Sequence, residues 1–352
     1  MLLVLALLAA LWILGWVMKT PRSQRVILSL VVLSAVILAH LVLPADTPIR
    51  QATGGSATPW LFLICVAALI WGYTRLLTAL RSRARAPQTL PPSAPFSEAE
   101  LSRYARHMIL REIGGPGQRA LKEARVLVVG AGGLGAPACL YLAGAGVGTI
   151  GVIDDDTVET TNLQRQIIHR DADVSTPKTR SAARAMAALN PHISVRPYQR
   201  RLTPQIAAEL FADYDLILDG TDNFDTRYLV NATCVALGKP LIAAALTQWE
   251  GQISTYDPAQ GAPCYACVFP SAPSAELAPS CAEAGVAGPL PGILGSMMAL
   301  EAVKLITGAG TSLRGRLAIH DGLHGENRTL KVARRPDCPT CSHVTASSKD
   351  TP

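Results

Sequence analysis

The 352-residue chain has few aromatic and few charged residues. Aromatic side chains make up 5% of it and Asp, Glu, Lys and Arg together 16%, whereas 49% of the residues are hydrophobic. Intrinsic disorder requires the opposite balance, so the composition excludes a disordered chain. The length is typical of one large domain or two smaller ones with an appendage.

Acidic residues are nearly absent from the first 85 positions. This segment has eight Lys and Arg residues against one acid, Asp46, while the rest of the chain has 24 basic and 25 acidic residues. The net charge of +6 therefore comes entirely from the N-terminal quarter. A nucleic-acid binder carries its basic surface on the binding domain, so we expect no nucleic-acid partner.

Three apolar stretches lie in this quarter, at about residues 1–18, 26–43 and 59–80. A helix of about 18 residues is roughly 27 Å long, close to the thickness of about 30 Å of a bilayer core. Basic residues are concentrated in loop 19–25 and after residue 74, and the positive-inside rule places both segments in the cytoplasm. The sequence therefore predicts a multi-pass inner-membrane anchor at residues 1–85 with the N-terminus outside. A cleaved signal peptide at residues 1–18 is the alternative, although no basic segment precedes the apolar run.

A Pro/Ser-rich linker at residues 86–97 follows the anchor and marks the boundary to a region at residues 98–343 that we expect to lie in the cytoplasm. Ser97 and Glu100 have the spacing of a capping box, which predicts a helix running to about Arg111. Residues 344–352 are expected to form a disordered tail.

A βαβ unit with a glycine-rich first turn begins this region. Residues 125–130 form a β-branched run that leads into Gly130, Gly132, Gly133 and Gly135, then a predicted helix at 136–145 and a strand that ends at Asp154. Such glycines allow the backbone to approach a phosphate, and the acid accepts hydrogen bonds from ribose hydroxyls. The pattern predicts a nucleotide site; a tight turn without a ligand is the alternative.

Strands at about residues 193–196, 215–219 and 240–244 alternate with helices at 178–189, 204–211 and 223–237, and a further helix is expected at 293–307. This alternation predicts a Rossmann-like, doubly wound α/β fold with a mostly parallel sheet that is covered on both faces.

Polar and charged side chains cluster after the second strand and again after the fourth. Arg and Lys suit the oxygens of a triphosphate, and an Asp at a strand end suits magnesium. Singly, each is typical of a solvated surface, but together they favour a binding site. The candidates are Asp154, Asp156, Thr161, Asn162, Arg165, Lys178, Thr221 and Asp222.

The cysteines divide into two classes. Cys264 and Cys267 form one C-x-x-C pair and Cys338 and Cys341 a second, which in a reducing compartment predicts a structural zinc site rather than disulfides or a redox centre. Cys281 lies outside both pairs, in a Pro/Ser/Ala-rich stretch. It is a candidate nucleophile, and an inert loop cysteine is the alternative.

From Arg103 to Ser342 the chain resembles the ThiF/MoeB/HesA family, the bacterial relatives of ubiquitin-activating enzymes. The motifs that carry the resemblance are Arg103-x-x-Arg106, the glycine turn, Asp154-x-Asp156, Asn162-x-x-Arg165, Pro177-Lys178, Thr221-Asp222-Asn223 and the cysteine pairs. The resemblance implies a homodimeric, ATP-dependent enzyme that adenylates the C-terminal glycine carboxylate of a small ubiquitin-like sulfur-carrier protein.

The resemblance also implies roles for individual residues. Gly133 and Asp154 contact the adenosine end, Thr221 lines the nucleotide pocket, and Asp222 holds magnesium. Arg106 reaches the phosphates of the neighbouring subunit; its neighbour Ala105 departs from the polar residue that is frequent in relatives. The residues that hold the phosphates are Asn162, Arg165 and Lys178.

Several alternatives remain at this point. The favoured substrate is a sulfur carrier of the molybdopterin-synthase type, and a carrier of the thiamine pathway is the alternative. Since no rhodanese-like extension follows Cys341, we expect a separate protein to donate the sulfur. A nicotinamide-dependent oxidoreductase would leave Arg165, Lys178 and Asp222 unused, and an inactive membrane scaffold would have no reason to retain them.

Overall fold

The computed structural model describes residues 2–44, 47–84, 95–273 and 285–346. The chain separates into two compact units, residues 1–92 and 93–352. Cys281, Arg85, most of the predicted linker and the last six residues of the tail lie outside the described residues.

The N-terminal unit is helical. It consists of α1 (Leu2–Val17), α2 (Arg22–Val42), α3 (Pro48–Thr53) and α4 (Thr58–Ala84). The short helix α3 was not predicted and lies in the loop between the second and third apolar stretches. The Trp12 indole N–H of α1 donates to Ser29 Oγ of α2 at 3.1 Å.

Large apolar side chains cover the outside of this unit. Trp16, Leu41 and Leu69 are each more than 70% exposed. Among the described residues, Gln24–Val42, Pro48–Leu77 and Pro289–Thr307 are long and apolar enough to cross a bilayer, and Leu2–Val17 is a shorter apolar helix. The third of these candidates belongs to the other unit, where it is a core helix.

The second unit begins with two helices, α5 (Glu98–Ile109) and α6 (Gly114–Glu123). The predicted capping box is present: Ser97 Oγ accepts from the Glu100 backbone N–H, and the Glu100 carboxylate accepts from the Ser97 N–H at 2.9 Å. Glu100 also pairs with Lys122 of α6 at 2.6 Å, so the cap and the helix pair share one buried carboxylate.

An α/β region follows. Its strands are β1 (Arg125–Val129), β2 (Thr149–Asp154), β3 (Ser194–Gln199), β4 (Leu216–Asp219), β5 (Leu241–Leu246), β6 (Glu250–Tyr256), β7 (Arg316–Asp321) and β8 (Glu326–Lys331). Its helices are α7 (Gly135–Ala145), α8 (Lys178–Leu189), α9 (Pro204–Ala212), α10 (Phe224–Leu237), the short α11 (Tyr265–Val268) and α12 (Pro289–Thr307).

The eight strands form one sheet in the order β3-β2-β1-β4-β5-β6-β7-β8. The first five of these are parallel, which confirms the predicted parallel α/β sheet. The last three are antiparallel, and the sequence analysis did not foresee them. The parallel half is the part that carries the nucleotide-site motifs.

Both faces of the parallel half are buried. Along β1, Val126 and Val128 join one core cluster, whereas Leu127 and Val129 join the other, because successive side chains of a strand point to opposite faces. The first cluster includes Leu142 of α7 and Leu294 of α12, and the second includes Phe211 of α9. Helices on both faces leave the carboxyl edge of the sheet open to a ligand.

Candidate functional site

A cavity of about 650 Å³ lies at the carboxyl ends of β1, β2 and β4. The strand order reverses between β1 and β4, and a crevice at such a switch point is where open α/β sheets bind ligands. Most of the predicted site residues line it: Gly130, Gly132, Gly133, Asp154, Asp156, Asn162, Arg165, Lys178, Thr221 and Asp222.

Three predicted residues lie elsewhere. Arg106 is an exposed residue of α5 and, within the described part of the chain, does not line the cavity. Thr161 is exposed and is likewise absent from the described lining; its carbonyl oxygen accepts from Arg165 Nη1 at 3.1 Å, so it orients a lining residue. Gly135 is not part of the described lining either, and it packs against the Gly130 carbonyl in the turn.

The glycine turn is built on two positions that exclude side chains. Gly130 has φ of +92°, in the left-handed region that L-residues rarely adopt. A Cβ on Gly135 would overlap the carbonyl oxygen of Gly130, so the first turn of α7 packs directly against the loop backbone. These two constraints bring the loop close to the N-terminus of α7, which favours an anion.

Asp154 ends β2 and is partly buried beside this turn. Its Oδ2 accepts from the Ala131 N–H at 2.7 Å, and its Oδ1 accepts from the Asp156 N–H at 2.8 Å. Burial raises the pKa of Asp154, while these N–H donors and the nearby Lys178 oppose the rise. A carboxylate has lone pairs beyond the two used here, so Asp154 retains acceptor capacity towards the cavity.

Two cations face the site from separate elements. Lys178 is the first residue of α8 and is buried, yet its ammonium lies 2.7 Å from the exposed carboxylate of Asp156. Arg165 follows a short 3-10 turn that contains Asn162. Within the described part of the chain, the ion-pair partner of Lys178 is the exposed carboxylate of Asp156 alone, so the lysine retains much of its attraction for a second anion.

Carboxylates offer sites for a divalent cation at the same edge. Asp222 is exposed and lines the cavity. The carboxylate oxygens of Asp154, Asp155 and Asp156 lie within 4.8 Å of one another. Such oxygens are the ligands that magnesium prefers, so the residues present fit this ion.

The cavity wall contains residues that the sequence analysis did not name. Arg200 and Arg201 follow the end of β3, and Arg227 lies in the first turns of α10. Arg227 Nη1 and Gln166 Oε1 are buried and have no hydrogen-bond partner among the described residues. Both residues line the cavity, where a ligand can supply the missing partner. The position of Arg200 after a strand was the one available signal.

The four paired cysteines form a separate, buried group. Cys264 Sγ lies 3.8 Å from Cys267 and 3.6 Å from Cys338, and Cys267 lies 3.4 Å from Cys341. A tetrahedral zinc ion with Zn–S bonds of about 2.3 Å has sulfur–sulfur edges of about 3.8 Å. The distances fit that geometry and are far too long for disulfide bonds.

The electrostatics of this group also suit a cation. Burial raises the pKa of Cys264, because a thiolate in this environment is poorly solvated. Burial acts on Cys338 in the same sense, but the backbone N–H groups of Thr340 and Cys341, together with hydrogen bonds from Cys264 and Cys267, outweigh it and lower its pKa to about 7. The Arg335 backbone N–H points at Cys267 Sγ at 3.4 Å, which is the kind of outer contact that supports metal-bound thiolates.

Residues 104–340 match the sequence profile of the ThiF family. The chain belongs to the ThiF family. It is 48% identical over 261 residues to a protein of Mycobacterium tuberculosis named probable adenylyltransferase/sulfurtransferase MoeZ, over 73% of this chain and 67% of that protein. It is 47% identical over 250 residues to the sulfur carrier protein adenylyltransferase of Thermus thermophilus, over 70% of this chain and 92% of that protein.

Solved structures place this ThiF-family chain in a known fold. The crystal structure of Escherichia coli MccB with ATP superposes with a TM-score of 0.59 at 23% identity, over 71% of this chain and 76% of that one. At this level of identity the likeness concerns the fold.

Proposed function

We propose that this chain is an ATP-dependent adenylyltransferase that activates the C-terminal glycine carboxylate of a small ubiquitin-like sulfur-carrier protein. The observation that carries the proposal is the convergence of Asn162, Arg165 and Lys178 with the glycine turn in one cavity. The names of relatives that are 47–48% identical over about 70% of the chain support the same reaction.

The charges of the site suit this chemistry. The carrier carboxylate attacks the α-phosphorus of ATP and pyrophosphate leaves, so negative charge grows on the phosphate oxygens. Arg165 and Lys178 compensate this charge, and the glycine turn contributes backbone N–H groups at the N-terminus of α7. The carrier carboxylate is already ionised at neutral pH, so the site needs no general base.

Asp222 would hold a magnesium ion, which would supply further positive charge beside the leaving phosphates. Asp222 is exposed and lines the cavity, whereas both carboxylate oxygens of Asp154 accept from backbone N–H groups, so Asp222 is the better placed of the two carboxylates for an ion.

Asp222→Asn tests this site, with Asp225→Asn as the matched control. Asp225 is an exposed residue of the same type in the first turn of α10. In ATP–pyrophosphate exchange with a purified carrier, we expect Asp222→Asn to lose at least about 100-fold in rate, the scale of removing one electrostatic contact in a transition state. Asp225→Asn is expected to keep the wild-type rate. Equal rates in the two variants would refute the assignment.

The finer assignments belong to the same proposal. The carrier is of the molybdopterin-synthase type, a separate protein donates the sulfur, and Arg106 acts across a homodimer. Mixing Arg106→Ala subunits with Asp222→Asn subunits tests the last point, because a shared site predicts that the mixture regains activity that neither variant has alone. No recovery in mixed dimers would place Arg106 outside the neighbouring site.

We propose that the four-cysteine group binds structural zinc and that residues 1–85 form an inner-membrane anchor, with the second unit in the cytoplasm. The exposed apolar surfaces of α1, α2 and α4 support the anchor. Reporter fusions after residue 47 and at the C-terminus test the topology. A periplasmic reporter is expected to be active at the first position and a cytoplasmic reporter at the second; the reverse pattern would contradict it.

A further inference from the structure

The peptide groups around Ala131, in the middle of the glycine turn, are held by two side chains. Ala131 is fully buried. Its N–H donates to Asp154 Oδ2 at 2.7 Å, and its carbonyl oxygen lies 3.0 Å from His169 Nε2. Since a carbonyl accepts only, His169 Nε2 carries the proton of this hydrogen bond.

His169 is itself fixed from its other side. Its Nδ1 lies 2.8 Å from Ser181 Oγ, and Ser181 Oγ lies 2.7 Å from Asp173 Oδ2. Ser181 is three residues after Lys178 in α8. The buried imidazole therefore links the glycine turn to the helix that carries the phosphate-facing lysine.

This linkage sets the direction of the next peptide group. In a planar trans peptide the C=O and the following N–H point to opposite sides. With the Ala131 carbonyl turned towards His169, the N–H of Gly132 turns away from it. Gly132 lines the cavity, so this peptide group lies beside the space that an anion would occupy.

We propose that His169 is a positioning residue for ATP binding: through the Ala131 carbonyl it holds the Gly132 N–H towards the phosphates. The inference rests on the proposed function of the cavity. Without the imidazole, the peptide is free to rotate, and a rotated peptide presents an oxygen to the phosphate oxygens. The consequence is weaker ATP binding with unchanged affinity for the carrier.

Two amide variants separate the contributions of the two ring nitrogens of His169. His169→Gln places an amide N–H near the position of Nε2, where it reaches the Ala131 carbonyl. His169→Asn places its amide near Nδ1, where it reaches Ser181 alone. Both variants are polar and of similar size, so they differ mainly in which hydrogen bond survives.

The test measures ATP affinity by calorimetry on the full-length protein and the KM values for ATP and carrier in pyrophosphate exchange. For His169→Asn we expect ATP affinity to fall and KM for ATP to rise about five- to tenfold, the scale of one hydrogen bond, with KM for carrier unchanged. His169→Gln is expected to stay within about twofold of wild type. Replacement of the exposed His192 by Asn is the control.

The outcomes are distinguishable. Wild-type protein that does not bind ATP overturns the proposed function and, with it, this inference. Wild-type binding with equal affinities in His169→Asn and wild type, or equal losses in the Asn and Gln variants, overturns the inference alone. Ser181→Ala is an independent variant that leaves His169 in place: it removes the hydroxyl that holds the imidazole on its Nδ1 side, and an unchanged KM for ATP would also count against the positioning role.

Discussion

Two lysines of this protein form ion pairs of nearly equal length, but the carboxylates that they pair with differ in exposure. Lys178 lies 2.7 Å from Asp156 in the cavity, and Lys122 lies 2.6 Å from Glu100 between α5 and α6. Asp156 is 65% exposed, whereas Glu100 is 7% exposed. Replacing each lysine by methionine should therefore separate activity from stability.

For Lys178→Met we expect a large loss of activity with little loss of stability. Its partner Asp156 is already exposed and remains solvated without the lysine, so the melting temperature should be unchanged or raised. A hydrogen bond to a charged group is worth about 1.5–3 kcal/mol, which corresponds to a loss of about 10- to 150-fold in kcat/KM for ATP.

For Lys122→Met we expect the reverse. In this variant the buried Glu100 loses its charged partner, and the Pro95 carbonyl loses the hydrogen bond of 2.8 Å that Lys122 Nζ donates to it. Together these losses cost about 1–3 kcal/mol of stability. Burial raises the pKa of Glu100, but the hydrogen bonds from Lys122 and Ser97 outweigh it and leave that pKa lowered. Its contribution is thus present at neutral pH and lost as the pH falls through the acid range.

The assay is thermal unfolding of each variant beside its pyrophosphate exchange rate at neutral pH. The reasoning is refuted if Lys178→Met unfolds at a much lower temperature than Lys122→Met, or if Lys122→Met loses activity as severely as Lys178→Met while still folded.

Further predictions concern the zinc group, the buried histidine and the glycine turn. Cys341→Ser should lower bound zinc, measured by elemental analysis, and the melting temperature together, while Cys234→Ala should retain the metal; zinc loss without destabilisation would contradict a structural role. Burial lowers the pKa of His169, with Lys178 acting in the same sense and the Ala131 carbonyl, Asp154 and Asp173 opposing. Because the unfolded chain then binds a proton before the folded one, stability should fall as the pH drops below about 6.5, and less so in His169→Gln. Gly135→Ala should abolish ATP-dependent heat protection, because its Cβ overlaps the loop backbone, whereas Gly144→Ala in the same helix meets open space and should be tolerated.

The parallel half of the fold could be predicted because its strands leave strong local signals. The strands β1, β4 and β5 are short apolar runs that end in glycine or polar residues, as expected for strands buried on both faces. By contrast, every residue of β8 is exposed, so its sequence shows no apolar alternation. Strand β6 is defined by its antiparallel pairing with β5 and β7. Its own sequence has no pattern from which this pairing could be predicted.

The site was predictable to the extent that its residues follow strands. Asp154 and Asp222 were found because the carboxyl ends of parallel strands meet at one edge. Arg200 and Arg201 share that edge but belong to no motif. His169 belongs to none of the sequence motifs, and its contact with Ala131 spans 38 residues, a tertiary contact that no local pattern encodes.

The most direct test of the proposed reaction is to follow where a label on the α-phosphate of ATP goes. Wild-type protein, the purified carrier and ATP labelled at the α-phosphate should give carrier whose C-terminal peptide bears labelled AMP, and Asp222→Asn should form this product at least about 100-fold more slowly. Transfer of label from the γ-phosphate instead, or no labelled carrier from wild-type protein that binds ATP, would contradict the account.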